Sequence, residues 1–384
     1  MPSPPRSILV VAPEFAIDAD GTYRPGGLAL FSRCIVGSLA GAPGLERLEA
    51  WGLLDEVPGI AIFEQHFAGL TTQVRTRAFA GNRRRMALEF ALRNREFDLV
   101  AFLHIGVGRL GVLRGFRPQS LWLVGIEVRR TLRWYERFPI RRSHPFPAIS
   151  KFSSDEMRRF NPDLPSAVPV HLGVEPQGPW TSASAVERKE SYDASKRRRA
   201  VLIVARLAAE ERYKGHDQLI ESWPSVLRDC PDAELWIAGA GNDEARLRAK
   251  AASMNADVAG RIRFLGRVSH ERLLELYATT RVFAMPSTGE GFGLVFAEAM
   301  RFGVPCVCSY DSSAEIVLNN ETGFAVPQTA HAIGAACARL LSDDDLANRM
   351  GRAGQERFHQ HYTFAGMRRR VRDVYGYRTE ENCP

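Results

Sequence analysis

Four charged residues in this chain of 384 stand where they could do chemistry: Arg206, Lys214, Glu290 and Glu298. Glu290 and Glu298 bracket the run "STGEGFGLVFAEAM", which begins with glycines and turns apolar. A carboxylate beside a core-like helix is costly to bury unless something pairs with it, so both call for a partner. Arg206 ends the strand-like run "AVLIVARL", and Lys214-Gly215 open the helical pattern that follows. A guanidinium and an ammonium converging on the carboxyl edge of a parallel sheet would neutralise a diphosphate, Arg bidentately and Lys as a point charge. The plainer reading makes Glu290 a helix cap, Glu298 a solvated helix residue, and the two cations surface charges.

The elements around these residues carry the argument further. "RVFAMPS" reads as an apolar strand and "LVFAEAMRF" as a helix that Gly303 and Pro305 stop. Strand, glycine-rich turn and helix aim unpaired backbone N–H groups at an anion, and Phe292, Gly293 and Leu294 are expected in that first turn. Such a helix start flanked by carboxylates suits a ligand with both phosphate oxygens and hydroxyls. "SILVVAP", "LVAFLHI", "LWLVGI", "AVLIVARL", "ELWIAGAG", "IRFLGRV", "RVFAMPS" and "PCVCSYD" alternate with helical stretches. That alternation predicts an α/β protein with parallel sheets covered by helices on both faces. A polar stretch at 176–199 lacks strand periodicity and helix caps and reads as a linker. It divides the chain into 1–175 and 200–364, with a further helical stretch in 365–384.

Glycine turns follow strands in both halves. Gly26 and Gly27 lead into a helical pattern in the first, and Gly239 and Gly241 end a strand in the second. The latter lacks the third glycine of a dinucleotide fingerprint, Glu244 standing there, and it is not the first βα turn of its half. NAD or FAD binding is not expected.

Hydrophobic residues make up 45% and charged residues 25%, ordinary soluble globular material, and no apolar run approaches a membrane span. The start lacks the pattern of a secretory signal. Cys306 and Cys308 alternate along one apolar strand with no second ligand pair at zinc-like spacing, so they read as small buried hydrophobes and fit a reducing cytoplasm. The net charge of +7 is uneven: residues 1–180 hold 23 Lys+Arg against 17 Asp+Glu. The excess gathers in "NRRRMALEFALRNR" (82–95) and "RRTLRWYERFPIRR" (129–142). Basic residues mixed with aromatics suggest a polyanion or an anionic membrane surface; a solvated helix face is the alternative.

Arg206, Lys214-Gly215 and the glutamate, seven residues, glutamate spacing of Glu290 and Glu298 resemble the retaining GT-B-fold glycosyltransferases of the group 1 family (glycosyltransferase family four). The resemblance extends through "PGGLALFSR", "FDLVAFLHIG", "AISKFSSDEMRRF", "VHLGVEP" and "ETGFAVP", nearly the whole chain. It implies two Rossmann-like domains facing a cleft, an acceptor-side domain first and a nucleotide-sugar domain second, with the C-terminal helix crossing back. It implies that Arg206 and Lys214 hold the donor diphosphate, that Glu298 accepts from ribose hydroxyls and that Glu290 contacts the sugar. Phe292, Gly293 and Leu294 would lie near the donor, Arg267 and Val268 at the base, and Gly26 and Gly27 at the phosphates. His104 would line the sugar pocket, and Ser150 and Lys151 would face the cleft. The seven residues between Arg206 and Lys214 exceed the family's usual spacing, so "LAAEERY" is expected to form an extra loop. "SYDSSAEIV" replaces the Gly-Gly-x-Pro-Glu turn that relatives often show, so Glu315 receives no role.

The function expected is a metal-independent hexosyltransferase with no cofactor beyond its donor, GDP-mannose or a UDP-hexose. Asp18-Ala19-Asp20 lies in the N-terminal loop, away from the donor-binding half. The acceptor is a glycan or a polyprenyl-diphosphate-linked glycan of bacterial polysaccharide synthesis. The place is the cytoplasm, at the inner face of the membrane if arginines 83–85, 93 and 95 meet anionic lipid. Two rivals differ in what they require. A sugar-nucleotide epimerase of the same architecture needs an acid/base set for which His104 alone is thin. A nucleic-acid-binding protein, suggested by pI ≈ 9.2, leaves the glutamate pair without purpose and would bind with steep salt dependence. Nucleic acid is not an expected partner.

Overall fold

A computed structural model describes residues 3–15, 27–57, 72–174, 192–310 and 312–377. Gly26, Asp18, Asp20 and most of the stretch 176–199 lie outside the described residues. Contacts divide the chain into two compact units, one of residues 1–187 with 361–384, the other of residues 188–360.

In the first unit, β1 (Ser7–Ala12), β2 (Arg47–Gly52), β3 (Gln73–Ala78), β4 (Leu99–Phe102) and β5 (Gln119–Leu121) form a parallel sheet in the order β3-β2-β1-β4-β5. β1 and β4 are apolar on both faces because helices cover both, and Ile8 to Val11 and Val100 to Phe102 are fully buried. The helix Gly27–Leu39 packs on the helix Phe364–Val374, which brings the chain's last described residues into this unit. Arg372 donates to the carbonyls of Ser38 and Ala40, at 2.8 Å each, and the Tyr375 hydroxyl accepts from the Trp122 indole at 2.8 Å. β6 (Pro147–Ala148) and β7 (Val168–Pro169) form a separate short pair.

The second unit holds β8 (Arg198–Val204), β9 (Glu234–Ala238), β10 (Ile262–Gly266), β11 (Thr280–Met285), β12 (Cys306–Cys308) and β13 (Gly323–Ala325). They too run parallel, in the order β10-β9-β8-β11-β12-β13. Cys306 and Cys308 form no disulfide and are fully buried at the two ends of β12. Strand order reverses between β1 and β4 in one sheet and between β8 and β11 in the other. At such a switch point the following connections leave to opposite faces, and a crevice opens beyond the strands' carboxyl ends. Among the described residues no helix is long and apolar enough to cross a membrane.

Candidate active site

Arg206 leaves the carboxyl end of β8, and the turn Pro286–Glu290 leaves that of β11, so the switch point of the second sheet gathers them. The residues "LAAEERY" fold mostly into a 3-10 turn, Ala209–Lys214. Its neighbours fix its course. Arg212 donates to Asp243 at 2.8 Å and the Ala209 amide to Asn242 at 2.8 Å. The backbone of 205–208 passes so close to the turn after β9 that a Cβ on Gly241 would lie 2.1 Å from the Leu207 carbonyl oxygen. The glycines of "IAGAG" therefore make room for this strand-end loop.

Lys214 closes the turn, and its ammonium donates to Glu290 Oε1 at 2.7 Å. Both side chains are largely buried, at 14% and 15% exposure, so this is a desolvated ion pair. Burial pulls the Lys214 pKa down, but the charge and hydrogen bond of Glu290 outweigh it and hold the ammonium above the ordinary lysine value. Gly215, at φ 88°, makes the pair reachable: a Cβ there would sit 2.8 Å from the Pro286 carbonyl oxygen. Gln328 ties the two loops together, donating to the carbonyls of Tyr213 at 2.7 Å and Pro286 at 2.6 Å. Next in sequence, His216 is buried, and desolvation beside Lys214 pushes it down to about 4, so it stays neutral.

Arg206 is 75% exposed and pairs with Glu211, a carboxylate of its own loop at 11% exposure. The second oxygen of Glu211 is buried and has no hydrogen-bond partner among the described residues. Nothing in the residue types of "LAAEERY" signals this contact except a glutamate within reach of an arginine.

The helix after the glycine turn begins at Leu294 and ends at Arg301. Gly293, at φ 90°, precedes it as the cap residue, and Phe292 lies before that and is buried, so one of the three residues expected in the first turn is helical. Glu298 accepts from the Tyr277 hydroxyl at 2.9 Å. Burial, then the charge of Glu298, push that hydroxyl well above its ordinary pKa, which keeps it a donor. Tyr277 itself is stacked on Phe302, with ring centres 6.0 Å apart. Arg267 and Val268 follow β10, Arg267 exposed and Val268 half-buried.

Gly27, His104, Ser150 and Lys151 belong to the first unit. Gly27 is the first residue of its helix. His104 caps the short helix Ile105–Gly108, with Nδ1 accepting from the Gly106 amide at 2.9 Å. Ser150 is fully buried and caps the helix Lys151–Phe160 by accepting from the Ser153 amide at 3.0 Å; Lys151 is exposed and paired with Asp155.

The basic run 82–95 forms the helix Arg83–Arg93, and only part of its apolar set is buried. Met86 and Phe90 are core residues, whereas Leu88 and Leu92 are 64% and 71% exposed. Arg93 is not available to a lipid surface: it bonds Glu49 and Glu96, and Glu49 is a buried carboxylate of β2. Arg85 pairs with Glu89. Arg83, Arg84 and Arg95 remain on the exposed face with the two leucines.

Residues 186–357, nearly the extent of the second unit, match the family described as Glycosyl transferases group 1. A GDP-mannose-dependent monoacylated alpha-(1-6)-phosphatidylinositol monomannoside mannosyltransferase of Corynebacterium glutamicum is 27% identical over 271 residues, 67% of this chain and 64% of that protein. A GDP-mannose-dependent alpha-(1-6)-phosphatidylinositol monomannoside mannosyltransferase of Mycobacterium tuberculosis is 34% identical over 183 residues, 45% of this chain and 46% of that protein. The matched part thus spans between about half and two thirds of these relatives. Among solved structures, Anabaena HepE in complex with UDP-glucose superimposes with a TM-score of 0.72 at 18% identity, covering 96% of this chain and 98% of that one. Sucrose-phosphate synthase from Thermosynechococcus elongatus gives 0.70 at 20% identity with the same coverage. Over 96% of its length the chain has the GT-B fold, and residues 186–357, which hold the Lys214–Glu290 pair, match the glycosyl transferases group 1 family.

Proposed function

We propose that the protein is a retaining, metal-independent hexosyltransferase that moves a hexose from a nucleotide-diphosphate sugar to a glycan or polyprenyl-diphosphate-linked glycan in bacterial polysaccharide synthesis. The observation that carries this reading is the buried Lys214–Glu290 pair beside Arg206 at the switch point of the second sheet. In it, the diphosphate of the donor takes Arg206 and Lys214, whose charges stabilise the leaving group as its bond to the sugar breaks. Their combined positive charge makes a divalent ion dispensable. Glu290 would then turn to the sugar hydroxyls, and Glu298, steadied by Tyr277, to the ribose. The amides of Phe292, Gly293 and Leu294 would face the donor, with Arg267 and Val268 at the base and Gly26 and Gly27 at the phosphates. His104 would line the sugar pocket, and Ser150 and Lys151 rank last among the candidates because both already serve other contacts.

GDP-mannose is the first donor to try, since two relatives are named as dependent on it; UDP-glucose is the second, bound in the HepE structure. The test is a panel of GDP-, UDP- and ADP-sugars, read by thermal stabilisation and slow hydrolysis, then by transfer to lipid-linked and soluble glycans. One nucleotide class should raise the melting temperature, with rapid release of nucleoside diphosphate only when acceptor is added. A protein that none of the panel stabilises or reacts with is not this enzyme. Turnover of donor to an isomeric donor without acceptor would point instead to an epimerase.

A further inference from the structure

The first unit contains a second cluster of cations, built from residues other than those considered above. Arg109 follows the short helix after β4, and Arg130 and Arg133 lie in the segment after β5; with Thr131, Tyr135 and Glu136 they line a cavity of about 390 Å³. Glu136 is fully buried at its side chain, while Arg109 and Arg130 are about half exposed. Its two oxygens accept four hydrogen bonds: from Arg130 at 2.8 and 2.9 Å, from Arg109 at 2.9 Å and from the Arg133 amide at 2.9 Å. Those bonds, led by Arg130, hold its pKa down to about 2, so it is a carboxylate at any working pH.

Glu136 is saturated, and it balances one of three guanidiniums. Two positive charges are left over at the cavity; Glu127, the next carboxylate, acts on Arg130 only at a distance and accepts from the Val124 amide at 2.9 Å. Arg109 and Arg130 converge on the same oxygen of Glu136, whose single charge offsets their mutual repulsion only in part. The arrangement is also rigid. Buried Asn161 accepts from the Leu132 amide at 2.9 Å and donates to the Arg130 carbonyl at 2.9 Å, clamping the backbone that presents the arginines. Arg109 lies over the Tyr135 ring at 5.3 Å, and Arg133 donates to the Tyr135 hydroxyl at 3.0 Å. Arg93 and Arg114 of the same unit end on carboxylates and carbonyls; here the cations outnumber their carboxylate partner around an open space.

We propose that this cavity is a phosphoryl-binding site, taking a dianionic phosphate monoester or a diphosphate on Arg109, Arg130 and Arg133. The excess of two charges matches a dianion, and guanidinium forks match phosphate oxygens bidentately. The cavity is larger than an inorganic anion needs, so the phosphoryl group arrives attached to a headgroup or sugar. Trp134, 71% exposed and edge-on to Tyr135 with ring centres 5.8 Å apart, would meet that attached group. The inference goes beyond the transferase reading and holds whatever the second unit does.

The test uses the full chain and inorganic pyrophosphate, followed by calorimetry. Lys214→Ala strips the other diphosphate-binding candidate of its buried cation, and one pyrophosphate should remain bound in the first unit. Adding Arg109→Gln and Arg133→Gln should weaken that binding about tenfold for each cation lost, with the circular dichroism unchanged. Should the double change prevent folding, Arg133→Gln alone leaves both side-chain pairs of Glu136 intact and should cost about tenfold. Undiminished binding in either variant, or none in Lys214→Ala, overturns the proposal. Co-sedimentation then separates the sources. Preference for phosphatidylcholine vesicles containing phosphatidic acid, reversed by pyrophosphate, assigns the site to a lipid headgroup. Pyrophosphate binding without vesicle preference assigns it to a soluble phosphate ester.

Discussion

The two units handle positive charge in opposite ways. In the second, each cation at the switch point already has a carboxylate: Lys214 with Glu290, Arg206 with Glu211. In the first, Glu136 serves two arginines and a third lines the same cavity. A phosphate reaching the second unit must exchange with resident carboxylates, whereas one reaching the first is simply added. An exchanging site binds modestly but keeps its cations desolvated and aimed until charge develops on the leaving group. An adding site is built for holding.

The contrast breaks first at Lys214. Lys214→Ala should lower transfer by roughly 100- to 1000-fold, the usual cost of losing one aimed electrostatic group, because it also strands the Glu290 carboxylate. The check is single-turnover transfer with folding followed by circular dichroism. Activity within about a factor of two of the parent would make Lys214 a structural cation only.

A smaller effect of opposite sign sharpens the comparison. Glu211→Gln removes the charge that competes for Arg206, so donor affinity should rise by a few-fold, on the order of a surface ion pair's worth. Titration of nucleoside diphosphate against both proteins measures it. Weaker binding in the variant would show that Glu211 positions Arg206 and does not compete with the ligand.

The smallest effect concerns stability against acid. Glu136 and Asp217 both have pKa values held down to about 2, Glu136 chiefly by Arg130 and Asp217 chiefly by Arg246. A depressed carboxylate contributes stability in full above its unfolded pKa and loses it as pH falls through the folded one. Unfolding midpoints should therefore decline from about pH 4.5 down to about 2. Glu136→Gln should flatten part of that decline, and denaturant titration across this range tests it. An unchanged slope would mean the pair is no stronger in the folded chain than in the unfolded one.

Much of this was legible in the sequence, for a physical reason. Central parallel strands are buried on both faces, so "SILVVA", "VLIV" and "RVFAM" announce themselves. β2, "RLEAWG", and edge strand β3, "QVRTRA", carry charges and escaped notice. That omission had a consequence: without β2 there is no Glu49 for Arg93 to meet, and Arg93 passed as a lipid-facing cation. Arg206, Lys214, Glu290 and Glu298 could be picked out by type and spacing. Tyr277, Gln328 and Glu211 could not, because their contacts to Glu298, to the loop carbonyls and to Arg206 are tertiary or depend on how a short turn folds. The run 129–142 showed its arginines and aromatics but not that Glu136 would be buried among them.

The return of residues 361–377 to the first unit bears on how the molecule is made. Residues 188–360 form a continuous stretch and can close as soon as they have emerged from the ribosome. The first unit cannot, although its strands are synthesised earlier. The helix that covers Gly27–Leu39, the guanidinium that bonds the Ser38 and Ala40 carbonyls and the hydroxyl that meets Trp122 all arrive only after residues 188–360 have been made. Domains commonly fold in the order of their synthesis; here the unit begun first is completed after the second has been made.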